Sequence, residues 1–222
     1  MFDKYNKFIS DAIPLSPWNI DNSGIMKGLY GSIDDTLCLA NMYSDGCDLK
    51  NKDAVKEFSN NFSSIMLKML VSWPLNDKDF VNFCIRDATE NLLKAVYANT
   101  FYEKTVKEIS RTKYRYIYSE LKEFFKDESK EIIIKLGQIY GDASKHIHGY
   151  FDVRGETEVL LKKYFESKFD QYSSSLNKIY DLINCFFKTT KHIYKFAAKN
   201  LNHSQRTLLL ENISDKRLAY LL

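Results

Sequence analysis

Tyr140, Ser144 and His148 stand at i, i+4 and i+8, so a helix through them carries two hydroxyls and an imidazole on one stripe. Gly149 follows and can close such a helix. An imidazole beside hydroxyls can move a proton near neutral pH or contact a phosphate. A histidine in a last helical turn, favoured there by the helix dipole, would occupy the same position without any chemistry. Lys145 lies within the stretch and adds a candidate phosphate contact. Arg86 and Glu90 form the other candidate pair, four residues apart, with Leu93 and Tyr97 on their stripe and Phe83 one turn back. An arginine held by Glu90 and aimed into a groove would bind an anion such as a phosphate. The alternative is an ordinary helix ion pair, worth a few tenths of a kcal/mol.

Around residues 111–118 cations alternate with aromatics: Arg111, Lys113, Tyr114, Arg115, Tyr116 and Tyr118. That mixture suits neutralisation of a nucleic-acid backbone combined with base stacking. It also suits an amphipathic helix whose aromatics face a core, since Tyr114 and Tyr118 share a face, as do Arg111 and Arg115. Lys188, Lys191, Lys195 and Lys199 cluster at helical spacing and read first as a solvated face, then as a polyanion contact. No G-x-S-x-G elbow supports a Ser/His/Asp hydrolase. No H-E-x-x-H motif or paired carboxylates point to a metal. Cys38, Cys47, Cys84 and Cys185 show no C-x-x-C spacing and read as buried free thiols of a reducing compartment. No metal and no cofactor is expected.

The elements that must position these residues read as helices. All three prolines (Pro14, Pro17 and Pro74) fall in the first third of the chain, and no glycine occurs between Gly46 and Gly137, which is what long helices require. A short helix is expected over residues 1–12 and a weaker one over 23–44, with a turn at Ser44-Asp45-Gly46. Val55, Phe58, Phe62, Ile65, Met66, Met69 and Leu70 follow helical spacing and predict a strong helix from Lys52 to Trp73. Asn76-Asp77 can cap the next, to about Phe101. One helix is expected from Lys104 to Phe125, with a break near Ser110, and another from Asp127 to Gly149. A loop at 151–155 precedes a long helical pattern from Glu156 to about Asn200, which the run Ser173-Ser174-Ser175 can interrupt. A last helix covers about Ser204 to Leu221. With no credible strand or fixed-period repeat, the fold class is all-α, an antiparallel helical bundle.

With 222 residues, 45% of them apolar and 27% charged, the chain is long enough to bury a core without disulfide or metal staples. The net charge of +3 is unevenly spread. Residues 1–60 carry 6 basic and 9 acidic side chains, whereas residues 162–199 carry 8 lysines against Glu166, Asp170 and Asp181. Such asymmetry can steer a polyanion or a partner, or reflect solvated helix faces. No signal peptide is apparent, and no apolar run approaches a membrane span, so the expected location is cytoplasmic, without membrane contact.

"RDATENLLK" followed some fifty residues later by "YGDASKHIHG" resembles bacterial HEPN-like domains. In these, one helix often carries R-x-x-x-E and a later one Y-x-x-x-S-x-x-x-H-G. The likeness covers about residues 76–150. It implies a HEPN-like bundle over 51–222 with N- and C-terminal helical additions, residues 1–50 being either an appendage or part of the same domain. It also implies a shared polar site of Arg86, Glu90, Tyr140, Ser144 and His148. Many such domains are dimeric, metal-independent ribonucleases of toxin–antitoxin, CRISPR and phage-defence systems; others bind or scaffold. By that resemblance RNA is the expected ligand and Arg86 and His148 the catalytic pair, with a homodimer or a partner protein of the same system expected. The alternative is a non-catalytic partner or regulatory subunit. The sequence departs from the nuclease pattern in one respect, because no histidine has an arginine five to seven positions before it.

Overall fold

The computed structural model describes residues 2–13, 23–75, 77–147 and 173–222, and every regular element among them is a helix. In chain order these are α1 (Phe2–Ala12), α2 (Ser23–Ala40), α3 (Tyr43–Gly46), α4 (Lys52–Ser72), α5 (Lys78–Thr100), α6 (Val106–Arg111), α7 (Tyr114–Phe124), α8 (Asp127–Ile147), α9 (Ser173–Lys188), α10 (His203–Asn212) and α11 (Asp215–Leu221).

Helix starts are set by side chains that satisfy otherwise orphaned backbone N–H groups. Asn51 accepts from the Ala54 N–H at 3.2 Å to open α4, and Asp77 accepts from Phe80 N–H at 2.8 Å to open α5. Thr105 and Glu108 form a reciprocal capping box on α6, and Asn202 and Gln205 do the same on α10. The two hydrogen bonds that Glu108 accepts from Thr105 hold its carboxyl below the usual carboxylate range.

α5 is the central element. It packs along α4 on one side and α8 on the other, while α9 lies against both α5 and α8. Its fully buried Val81, Ile85, Ala88, Leu93 and Val96 meet Phe62, Met66 and Met69 of α4, Ile133 and Leu136 of α8, and Ile179, Leu182 and Phe186 of α9 in one continuous core. Leu29, Ile33 and Leu39 of α2 are fully buried in that core as well. Asp35 of α2 is tied to Arg217 of α11 at 2.8 Å and to the Ser214 hydroxyl at 2.7 Å. The four cysteines are unpaired, and burial pushes the Cys47 and Cys185 thiols up to about 12.

Several element boundaries differ from the sequence-based expectation. The expected turn at Ser44–Gly46 lies within the helical turn α3, held by Asp48 N–H donating to Tyr194 O and Ala197 N–H to Gly46 O, each at 2.8 Å. The break in the 104–125 segment falls at Thr112–Lys113 instead of Ser110, where the chain turns extended before α7. α9 does not run on to Asn200; it widens into a π turn at Thr189–Ile193, and Lys195 then takes a left-handed φ of 50°. Thr190 stabilises this widening, since its hydroxyl donates to Phe186 O at 2.8 Å and lies 2.7 Å from the Tyr43 hydroxyl. The last helix is two, because Ile213 and Ser214 are extended where Ser214 reaches Asp35. The expected loop at 151–155 and the helix from Glu156 up to residue 172 lie outside the described residues.

Candidate functional site

Arg86 projects from the middle of α5 towards the C-terminal half of α8. Its Nε and Nη2 both donate to the Tyr140 hydroxyl, at 3.1 and 2.8 Å. The guanidinium carbon lies 5.0 Å from the Tyr140 ring centroid, within cation–π range. On Tyr140 lies the Tyr114 ring, with centroids 3.5 Å apart and planes at 7°. Tyr118 continues the column at 5.9 Å and 7° from Tyr114. The register follows from the pairing of α7 with α8: Tyr118 sits over Gly137, and Tyr114, one turn earlier, over Tyr140. Burial raises the Tyr114 phenol, with Tyr118 and Tyr140 adding to the shift, so its hydroxyl stays protonated at neutral pH.

Glu90 does not hold Arg86. Its carboxylate pairs with Lys94 at 2.8 Å, in the i,i+4 order with Glu nearer the helix N-terminus that favours such pairs. Arg86 instead takes its partner from α8. Asp87, beside it, has its carboxyl raised by burial and by Glu90, against opposing contributions from Lys68, Lys94 and Arg86. The Ser144 hydroxyl donates to Tyr140 O at 2.8 Å, a bond within its own helix. Lys145 is exposed and pairs with Asp142 at 3.0 Å. His148 lies outside the described residues.

The basic residues of the α6–α7 segment are solvent-facing: Arg111, Lys113 and Arg115 are all exposed. Arg115 lies over the half-exposed Tyr116 ring at 4.7 Å and donates to its hydroxyl at 2.9 Å. Tyr114, read in the sequence as one of several alternating aromatics, is the one that reaches the Arg86 site.

Two further residues join this end of the bundle without having been singled out in the sequence. Asn82, one turn before Arg86 and fully buried, accepts from the Lys178 ammonium of α9 at 3.4 Å and donates to Lys78 O at 2.9 Å. The Asn82–Arg86 spacing was the available signal; the involvement of α9 depends on tertiary packing.

A separate groove of about 690 Å³ opens on the other flank of α8, between its first half and α9 and α11. Its wall carries the ion pair Lys135–Asp181 at 2.7 Å and the Asp35-bound Arg217. Among the described residues no group of His, Cys, Asp and Glu is placed to hold a metal ion, and no helix is long and apolar enough to cross a membrane. No family model, no curated protein and no solved structure matches this chain.

Proposed function

We propose that this chain is an RNA-directed, HEPN-like helical module of the kind that serves bacterial defence or toxin–antitoxin systems, with Arg86 as its phosphate contact. One observation carries this function: the Arg86 guanidinium is anchored through two of its nitrogens on Tyr140, at the head of the Tyr140–Tyr114–Tyr118 column. Anchoring by Nε and Nη2 keeps the cation in place and leaves Nη1 to donate to an anion. Exposed Arg111, Lys113 and Arg115 on the neighbouring segment supply backbone neutralisation.

In a catalytic version of this function, His148 takes the proton from an RNA 2′-hydroxyl, whose oxygen attacks the adjacent phosphorus. Arg86 stabilises the charge on the phosphorane. The proton taken up by His148 is returned to the departing 5′-oxygen as its bond to phosphorus breaks, giving a 2′,3′-cyclic phosphate and a 5′-hydroxyl without a metal. The test is incubation of the purified protein with RNA in the presence of a chelator. Cleavage that disappears in both Arg86→Ala and His148→Ala supports the nuclease; intact RNA with retained binding leaves a binding module; loss of neither cleavage nor binding in Arg86→Ala overturns the site.

A second function, a non-catalytic partner subunit, is favoured by a different surface. Leu67 and Val71 of α4, Leu75 in the connection after it, and the stacked Phe80 and Phe83 near the start of α5 are between 41 and 50% exposed, and exposed apolar side chains gathered in one stretch suit protein contact. A partner protein or a second copy of the chain would cover it, and sedimentation of the purified protein alone separates these two.

A further inference from the structure

The groove between α8, α9 and α11 is lined by an arginine that is only partly engaged. Arg217 donates through Nη1 alone, to Asp35 Oδ2 at 2.8 Å and to Ser32 O at 3.2 Å. Its guanidinium carbon lies 4.9 Å from the Phe187 ring centroid, a cation–π contact that helps to fix the group. Nε and Nη2, an edge that can grip an oxyanion through two parallel bonds, make no hydrogen bond to a described residue. Arg217 lines the groove, and its side chain keeps 17% of its surface exposed.

The remaining lining has the make-up of a small-molecule site, mostly apolar with a few polar groups. The volume is about 690 Å³, and the buried Ile132, Cys185 and Phe187 give it an apolar floor. Tyr220 lines it too, and is held in place: its hydroxyl lies 2.8 Å from His192 Nε2, and His192 Nδ1 lies 3.2 Å from Glu128 Oε2. Lys135 and Asp181 neutralise each other at 2.7 Å, and Glu128 faces His192. The charges left on the lining are Lys188 and Lys216 against Glu131, none of them in an ion pair with a described residue. Two ammonium groups against one carboxylate favour an anion, and Lys216 adjoins Arg217 in sequence.

We propose that this groove binds a small apolar oxyanion, a carboxylate or phosphate monoester on a ring-sized hydrocarbon, with Arg217 as its anchor. The hydrocarbon covers the apolar floor, and Lys188 and Lys216 add positive charge at the rim. Asp35, Ser32 O and Phe187 already fix the guanidinium, so little side-chain freedom is lost on binding. The site does not depend on the RNA-directed function, because it lies on the other flank of α8 from Arg86.

The test is isothermal titration with phenyl phosphate and with benzoate at fixed ionic strength, with inorganic phosphate as control. At least one aryl anion is expected to bind about tenfold or more tightly than inorganic phosphate, which covers none of the floor; the preferred one identifies the headgroup. Arg217→Lys keeps a cation for Asp35 but lacks the fork, and is expected to weaken binding about tenfold. Asn184 lines the groove from an exposed position on α9, so Asn184→Trp is expected to block binding while the urea midpoint stays at the wild-type value. Arg86→Gln is expected to bind as the wild type does. The site is overturned if neither aryl anion binds, if inorganic phosphate binds as tightly, or if either groove variant binds unchanged. Loss of binding in Arg86→Gln would place the anion at Arg86 and overturn it equally.

Discussion

The Tyr118 ring occupies the space that a side chain on Gly137 would need. A Cβ built on Gly137 would come within 2.7 Å of Tyr118 Cζ and 2.9 Å of its hydroxyl oxygen, and closer still to Cε2. Because Tyr118 stacks on Tyr114, and Tyr114 on Tyr140, the glycine sets the register of the column that carries Arg86.

Gly137→Ala combines two opposed effects. Overpacking against Tyr118 costs about 1–3 kcal/mol, and replacing a mid-helix glycine by alanine returns about 1 kcal/mol. The expected outcome is a net loss of about 1 kcal/mol in the wild-type background. With Tyr118→Ala in place the clash is gone, and the same change is expected to stabilise by about 1 kcal/mol. Urea denaturation of the four proteins in this cycle checks the inversion; the same sign in both backgrounds would refute the contact.

Asp35→Ala is expected to cost about 3 kcal/mol, because it strands a buried arginine. The Asp35 side chain is 7% exposed and that of Arg217 17%. Besides Arg217, the carboxylate serves the Ser214 hydroxyl and N–H. The double variant Asp35→Leu/Arg217→Met, which leaves no uncompensated charge, is expected to recover more than half of the loss. The readout is the urea midpoint at unchanged m. A double variant no more stable than Asp35→Ala would show that the charge pair is not what the single change breaks.

Lys178→Met is expected to raise stability at pH 7. The folded-state pKa of Lys178 is lowered, against about 10.4 for an unfolded lysine. Between the two values the unfolded chain holds more protons, so stability from this group rises with pH through that window. Below the folded value both states are charged and the whole desolvation penalty is present. The advantage of methionine is therefore fully developed at pH 7 and shrinks as pH approaches about 10.4. Thermal melts of both proteins at the two ends of this range test it; an advantage that grows with pH has the wrong sign.

Much of the helical framework could be read from residue order. Asp77 does cap α5, and the apolar spacing from Val55 to Leu70 does form a buried face. These are local properties, set by propensity and capping within a few residues. Arg86 also meets Tyr140, although the two are 54 residues apart. The partner of Glu90 was misjudged because both Arg86 and Lys94 lie one turn away, and only the position of α8 decides which of them is drawn elsewhere. Tyr114 and Tyr116 could not be ranked from their alternation, since one faces α8 and the other water. The Lys178–Asn82 contact was invisible for the same reason, its partners lying 96 residues apart. The π turn after Lys188 follows from the Tyr43–Thr190 contact across 147 residues. The question of whether Arg86 and His148 converge falls on a histidine outside the described residues.

The clasp between Asp35 and Arg217 has a consequence for the order in which the chain folds. It joins residues 182 apart, and the same seam includes Asp45 with Gln205, 160 apart. The α4–α5 and α7–α8 pairs, by contrast, close over short connections. Loop-closure entropy delays contacts of long separation. The two hairpins therefore form first, and α2 gains its permanent seat only when the C-terminal helices arrive. The clasp closes after the rate-limiting step, so substitutions at it are expected to speed unfolding and leave the folding rate nearly unchanged.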